Sequence, residues 1–286
     1  MSSSASSMSD SSAFSYGSSA SSASSSYSYS ELEIYDNHRD LPTYKEIYKS
    51  KISSKQKKKL DKVLNNYDIG VTSRDKIYRL AKFDIVLVVD DSKSMKSLVE
   101  PGKSRWQEAM EYAKPIIEIG TAIDSDGIDI IFLNGGQKKG VTTYSKSLFP
   151  TKMTKGTPLG KATQRAFSKK GDKPLLVIVL TDGSPTDMSD DEYKNLIRHR
   201  DGANIFMTFV ACTNNRKKIE FLNGIDIEDC TLDVIDDYHN EYLEVIEVQG
   251  KNFDYSFEDH IIRLLLGPVY PEFDKLDEFP IDQISL

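Results

Sequence analysis

Three short clusters of oxygen-bearing residues carry the chemistry in this sequence: Asp90-Asp91-Ser92-Lys93-Ser94, Gly156-Thr157-Pro158, and Thr181-Asp182-Gly183. Asp90 and Asp182 offer carboxylates, while Ser92, Ser94 and Thr157 offer neutral hydroxyls. No histidine or cysteine accompanies them. An all-oxygen set with few carboxylates suits a hard divalent cation that prefers octahedral geometry and keeps some water, Mg2+ or Mn2+. Two carboxylates brought to one place also repel each other unless positive charge lies between them. The ordinary alternative is capping, because Asp, Ser and Thr satisfy helix N-termini at strand-to-helix turns. Asp187 is assigned that role. Five oxygens converging on one edge are better read as a cation site.

Convergence requires a scaffold that brings distant turns together. The apolar, β-branched run 83–89 suits a parallel strand covered on both faces. Further buried strands are expected at 128–133, 175–180, 205–211 and 232–235. Between them lie helical patterns. Residues 105–123 carry Trp106, Met110, Ala113, Ile116, Ile117 and Ile123 as an inward stripe, with Pro115 as an irregularity. A helix after Pro158 runs through Leu159, Ala162 and Ala166. Another at 189–200 has Ser189 as N-cap and Asp190, Asp191 and Glu192 in its first turn. A short helix at 217–222 and a terminal one at 256–266 complete the alternation. Strands alternating with helices predict an α/β fold with a doubly wound, mostly parallel sheet flanked by helices. In such sheets ligands sit beyond the carboxyl ends of the strands, where Asp90 and Asp182 both fall.

Asp-x-Ser-x-Ser, a downstream Gly-Thr-Pro and a Thr-Asp-Gly after a hydrophobic strand resemble the metal-ion-dependent adhesion site of von Willebrand factor A (VWA) domains. The resemblance covers roughly residues 83–266. It implies that Ser92, Ser94 and Thr157 hold the ion directly, and that Asp90 and Asp182 do so directly or through water. It also implies an open position for a carboxylate from a protein partner, and so a binding module rather than an enzyme. Asp126-Gly127-Ile128-Asp129 and the stretch 236–267 are similar to an intracellular branch of these domains. Lys93 and Lys155 stand where many relatives carry glycine; Lys93 is expected to point to solvent. Partner choice falls to the loops 93–104 and 134–155, whose Lys103, Arg105, Lys138, Lys139 and Lys146 would form a basic rim suited to an acidic ligand.

Three other chemistries are weighed. A Mg2+-dependent phosphoacceptor of the receiver type wants an acceptor Asp after a later central strand, but the second strand ends in Leu133-Asn134. A phosphatase of the haloacid-dehalogenase type wants Asp-x-Asp after the first strand, and position 92 is serine. Nucleophilic hydrolysis lacks a Gly-x-Ser-x-Gly elbow at Ser184, and His199 and His260 fall within predicted helices. His38 and His239 have no nearby ligand partners. A structural protein with an empty site is the remaining alternative.

The net charge of -7, with both signs mixed along the chain, argues against nucleic acid as the partner. The lysine run 55–59 is read as a solvated helix face. Cys212 and Cys230 are too few for a disulfide framework and are read as reduced core residues. No apolar run approaches the ~20 residues of a membrane span, and no basic-then-apolar leader pattern is present. An intracellular, cytoplasmic protein is expected. In the first 30 residues 18 are serine, a composition that cannot bury enough apolar surface to offset chain entropy. The expected organisation is a disordered Ser-rich tail at 1–30, a helical extension at 31–80 ending in a helix at 73–80, a VWA-like domain at 81–270 and a C-terminal tail at 271–286.

Overall fold

The computed structural model describes residues 52–100, 102–225 and 231–281. The Ser-rich tract, Cys230 and the last five residues lie outside them.

The five apolar runs are strands, and their order places the site. β1 (Asp84–Val89) lies centrally, with β4 (Ile128–Phe132) on one side and β6 (Leu175–Thr181) on the other. β7 (Ile205–Ala211) and β8 (Leu232–Ile235) extend the sheet beyond β6, all in parallel. The chain leaves β1 for β4, then returns across to β6. The strand order therefore reverses at β1, which puts the topological switch point at the carboxyl ends of β1 and β6. The parallel, doubly wound α/β architecture agrees with the sequence-based expectation.

Parallel strands must be covered on both faces, and here they are. Ile85, Leu87 and Val89 share one core with α1 (Ser54–Asn66), α2 (Val71–Arg79), α3 (Arg105–Ile123) and, from further along the chain, Ile261, Ile262 and Leu265. Val86 and Val88 face the second core, built with α4 (Leu159–Phe167), α5 (Asp190–Arg198) and α6 (Arg216–Asn223). Caps fix the helix starts. Ser104 and Gln107 form a reciprocal capping box at α3, and Ser189 and Glu192 form one at α5. Pro115 is accommodated within α3.

Several elements depart from the expected pattern. Residues 134–155, read as loop, contain β5 (Gly136–Val141), an antiparallel edge strand beside β4 that exposes every residue from Gly136 to Gly140. Only Val141 is buried, so no apolar alternation announces it. α7 (Tyr238–Gln249) was also not foreseen; its β-branched and aromatic residues carry little helical signal. The short hairpin β2 (Leu98–Glu100) and β3 (Lys103–Ser104) lies within the expected loop after Ser94. α8 (Phe257–Leu266) is followed by α9 (Pro271–Asp274), and Tyr270, Phe273 and Leu276 are buried in the first core. In the same core lie Leu60, Leu64, Ile77 and Leu80.

His260, on α8, is fully buried against Tyr112, Tyr238 and Tyr255, and Nδ1 meets the Tyr255 hydroxyl at 3.2 Å. Burial first, and the Arg263 charge second, pull its pKa down to about 3. The unfolded chain therefore takes up a proton near pH 6.5 that the folded chain refuses. This contribution to stability is complete above about pH 6.5 and declines on acidification by up to about 1.4 kcal/mol per pH unit. Denaturant midpoints between pH 6.5 and 4.5 should fall less steeply for His260→Asn than for wild type. Parallel slopes would show that His260 does not titrate this way.

Candidate metal centre

The register of the sheet sets the site. Val89 pairs with Leu180, so Asp90 and Thr181 emerge side by side at the strand ends. The Asp90 N–H donates to the Leu180 carbonyl at 2.9 Å. Asp90 is fully buried and both its oxygens are engaged. Oδ1 accepts the Ser92 N–H and Oδ2 accepts the Thr181 hydroxyl, each at 2.8 Å. Burial pushes the Asp90 carboxyl above its usual range and the Asp182 charge adds to this, while hydrogen bonds from Ser92 and Thr181 act in the opposite sense. Asp90 thus shapes the turn that presents the serines.

From that turn a line of oxygens runs toward the end of β6. Ser92 Oγ lies 2.9 Å from Ser94 Oγ, which donates to Asp182 Oδ1 at 2.8 Å. An octahedral Mg2+ ion with ligands near 2.1 Å would place neighbouring oxygens about 3.0 Å apart. Two hydroxyls and one carboxylate oxygen at this spacing fit a hard cation.

Thr157 is placed by different bonds. Its N–H donates to Thr186 Oγ1 and its carbonyl accepts from Thr186 N–H, each at 2.8 Å. Gly156, at φ +91°, makes the turn before it in a conformation that side-chain-bearing residues rarely adopt. The same loop is tied to the serine loop: Lys93 N–H donates to the Thr154 carbonyl at 2.7 Å, and Asn134 bridges Asp91 and the Gly156 carbonyl. Thr157 therefore lies on a neighbouring, tethered loop. Among the described residues, no hydrogen bond joins its hydroxyl to Asp90, Ser92, Ser94 or Asp182. Asp187 caps as expected, its carboxylate accepting Gly160 and Lys161 N–H at 3.1 and 2.8 Å at the start of α4.

The expected basic rim needs a correction at Arg105. This residue opens α3, is buried, and its Nη1 lies 2.5 Å from Asp182 Oδ2. The Lys218 ammonium, from α6, lies 3.1 Å from the same oxygen. Asp182 is thus divided, with Oδ1 toward the serines and Oδ2 toward two cations. Positive charge for Asp182 is thus present within the chain, whereas Asp90 is held by the Ser92 N–H and the Thr181 hydroxyl. The sequence pattern puts Arg105 on the outer rim rather than against Asp182, and Lys218 looks like an ordinary surface charge on its helix. Lys93, Lys138, Lys139, Lys146 and Lys155 are exposed. Lys103 pairs with Glu111 at 2.8 Å.

Cys212, just beyond β7, is buried, and burial pushes its thiol well above the usual range with the Glu108 charge adding to the effect. It is a core thiol. No helix among the described residues is long and apolar enough to cross a membrane.

No protein-family model matches the sequence, and no curated protein matches it either. Solved structures do show partial similarity. The ArnB paralog VWA2 from Sulfolobus acidocaldarius is 23% identical over 45% of this chain and 34% of its own, with a TM-score of 0.31. The SpRpn10 VWA domain is 10% identical over 54% of this chain and 87% of its own, at 0.40. The Deinococcus radiodurans RO (RSR) protein is 14% identical over 66% and 35%, at 0.41. The match thus spans about a third of the length of the first and third of these. Two of the three are VWA proteins by name. The fold described here rests on its own strand order and register.

Proposed function

We propose that this chain is a metal-dependent protein-binding module of the VWA type, without enzymatic activity of its own. The line of oxygens from Ser92 through Ser94 to Asp182 carries the reading, because it lies at the strand-order reversal with the spacing of cation ligands. Ser92, Ser94 and Asp182 would hold Mg2+ or Mn2+, Thr157 would add a hydroxyl from the tethered loop, and Asp90 would orient the serines. The bound ion would supply positive charge for a carboxylate from a protein partner. Exposed Lys93, Lys138 and Lys139 favour an acidic approaching surface, and the mixed charge of the chain does not favour nucleic acid.

One observation favours a second reading. Arg105 and Lys218 already compensate Asp182, as they would in a structural protein whose site takes up no ion. A pull-down from cell extract with and without EDTA separates the two, using wild type and the Ser92→Ala/Ser94→Ala variant. The binding module predicts partner capture in Mg2+ that EDTA abolishes and that the double variant loses at least tenfold, without loss of fold. Capture indifferent to EDTA and to both serines would support the structural reading.

A further inference from the structure

Asp182 is served by two cations of different character. Arg105 is fixed: its side chain is 10% exposed and sits in the first turn of the long helix α3. Lys218 is held less firmly. Its side chain is 29% exposed, it comes from the eight-residue helix α6, and an ammonium on a flexible four-carbon stem returns to water more readily than a buried guanidinium. Its path to Asp182 runs over Gly183, where a Cβ would stand 3.0 Å from the ammonium nitrogen. The missing side chain at 183 leaves room for that close approach.

Resting on the metal reading above, we infer that Lys218 is an internal competitor for the divalent cation, seated on Asp182 while the ion is absent and displaced when it binds. The surroundings of Asp182 favour such an exchange. Its Oδ2 already meets Arg105 and Lys218, so a doubly charged ion on the Oδ1 side would crowd three positive groups around one carboxylate. Coulomb repulsion at this range is strong where water is excluded. Arg105 cannot leave without stranding its own buried charge, whereas Lys218 can swing outward and take its charge into solvent. The lysine therefore lowers metal affinity and keeps Asp182 compensated between binding events.

The experiment is a Mn2+ titration of the full chain, with free Mn2+ read by electron paramagnetic resonance and folding checked by thermal unfolding. Wild type is compared with Lys218→Gln, Lys217→Gln and Asp182→Asn. Lys217 is the exposed neighbour on α6, outside the Asp182 pair, so its variant makes the same change in net charge. Lys218→Gln is expected to bind Mn2+ about tenfold more tightly than wild type. Lys217→Gln should change affinity little, because exposed charges are screened by salt. Equal or weaker binding by Lys218→Gln, or equal tightening by Lys217→Gln, would overturn the competitor role while leaving the metal site intact. Undiminished binding by Asp182→Asn, or no Mn2+ uptake by any variant, would instead remove the metal reading and the competitor with it.

Discussion

Asp182→Ala is expected to abolish metal-dependent capture and to destabilise the fold by about 3–5 kcal/mol, because removing one partner of a buried ion pair strands the other. Asp182 is fully buried, and Arg105 depends on it for charge compensation. Against a typical total stability of about 5–15 kcal/mol, such a loss would be conspicuous in a denaturant titration. The two effects come from opposite oxygens and can be separated. Adding Arg105→Met removes the stranded charge, so the Asp182→Ala/Arg105→Met chain should recover part of the lost stability while capture stays absent. If the single variant unfolds at the wild-type denaturant concentration, the Arg105 pair is not the internal support described here.

The second large effect belongs to Arg263, far from the metal centre in sequence and role. Its side chain is fully buried and ion-paired with Glu241, with Asp277 at 3.3 Å and Asp233 at 4.0 Å. Arg263→Leu leaves Glu241 and Asp233 buried without that positive neighbour, and a loss of about 3–5 kcal/mol is expected near neutral pH. The pH dependence has a definite sign. Burial raises the Glu241 carboxyl to about 8 even though Arg263 pulls it down, and removal of Arg263 releases it further upward. A carboxyl with a raised folded pKa is protonated in the fold when the unfolded chain has already released its proton. Stability from this source is complete below about pH 4.5 and declines as pH rises toward 8. Below about pH 8 wild type and Arg263→Leu should therefore lose stability in parallel, and in paired denaturant titrations the penalty should grow between pH 7 and pH 9.5, where wild type can ionise Glu241 beside Arg263 and the variant cannot. A penalty unchanged up to pH 9.5 would show that packing, rather than the Glu241 charge, sets its size.

The legible parts of the fold were those written in contiguous residues. Strands β1, β4, β6, β7 and β8 announce themselves because a parallel strand buried on both faces must be apolar almost throughout. The cap at Ser189 acts within four residues of itself, so it too is local. β5 could not be seen in this way: an edge strand with Gln137, Lys138 and Lys139 facing water has no pattern to show. The candidate site divides similarly. Asp90, Ser92, Ser94 and Asp182 stand directly after apolar runs, and the structure joins them through hydrogen bonds. Thr157 is brought near by its tether to Thr186, which no spacing announced. Arg105 and Lys218 were opaque because their meaning lies in a partner far along the chain. A charged residue in the first turn of a helix reads as a surface group until the strand end beneath it is known.

The exposed edge of β5 bears on how the molecule behaves in company. An unfinished strand edge is a template on which another chain can add its own strand, the first step of sheet-to-sheet self-association. A second copy docking there would meet the exposed Lys138 and Lys139 with like charges of its own, and that repulsion disfavours pairing at this edge. Such protection rests on charge alone, and it weakens in concentrated salt or if the two ammonium groups are acetylated.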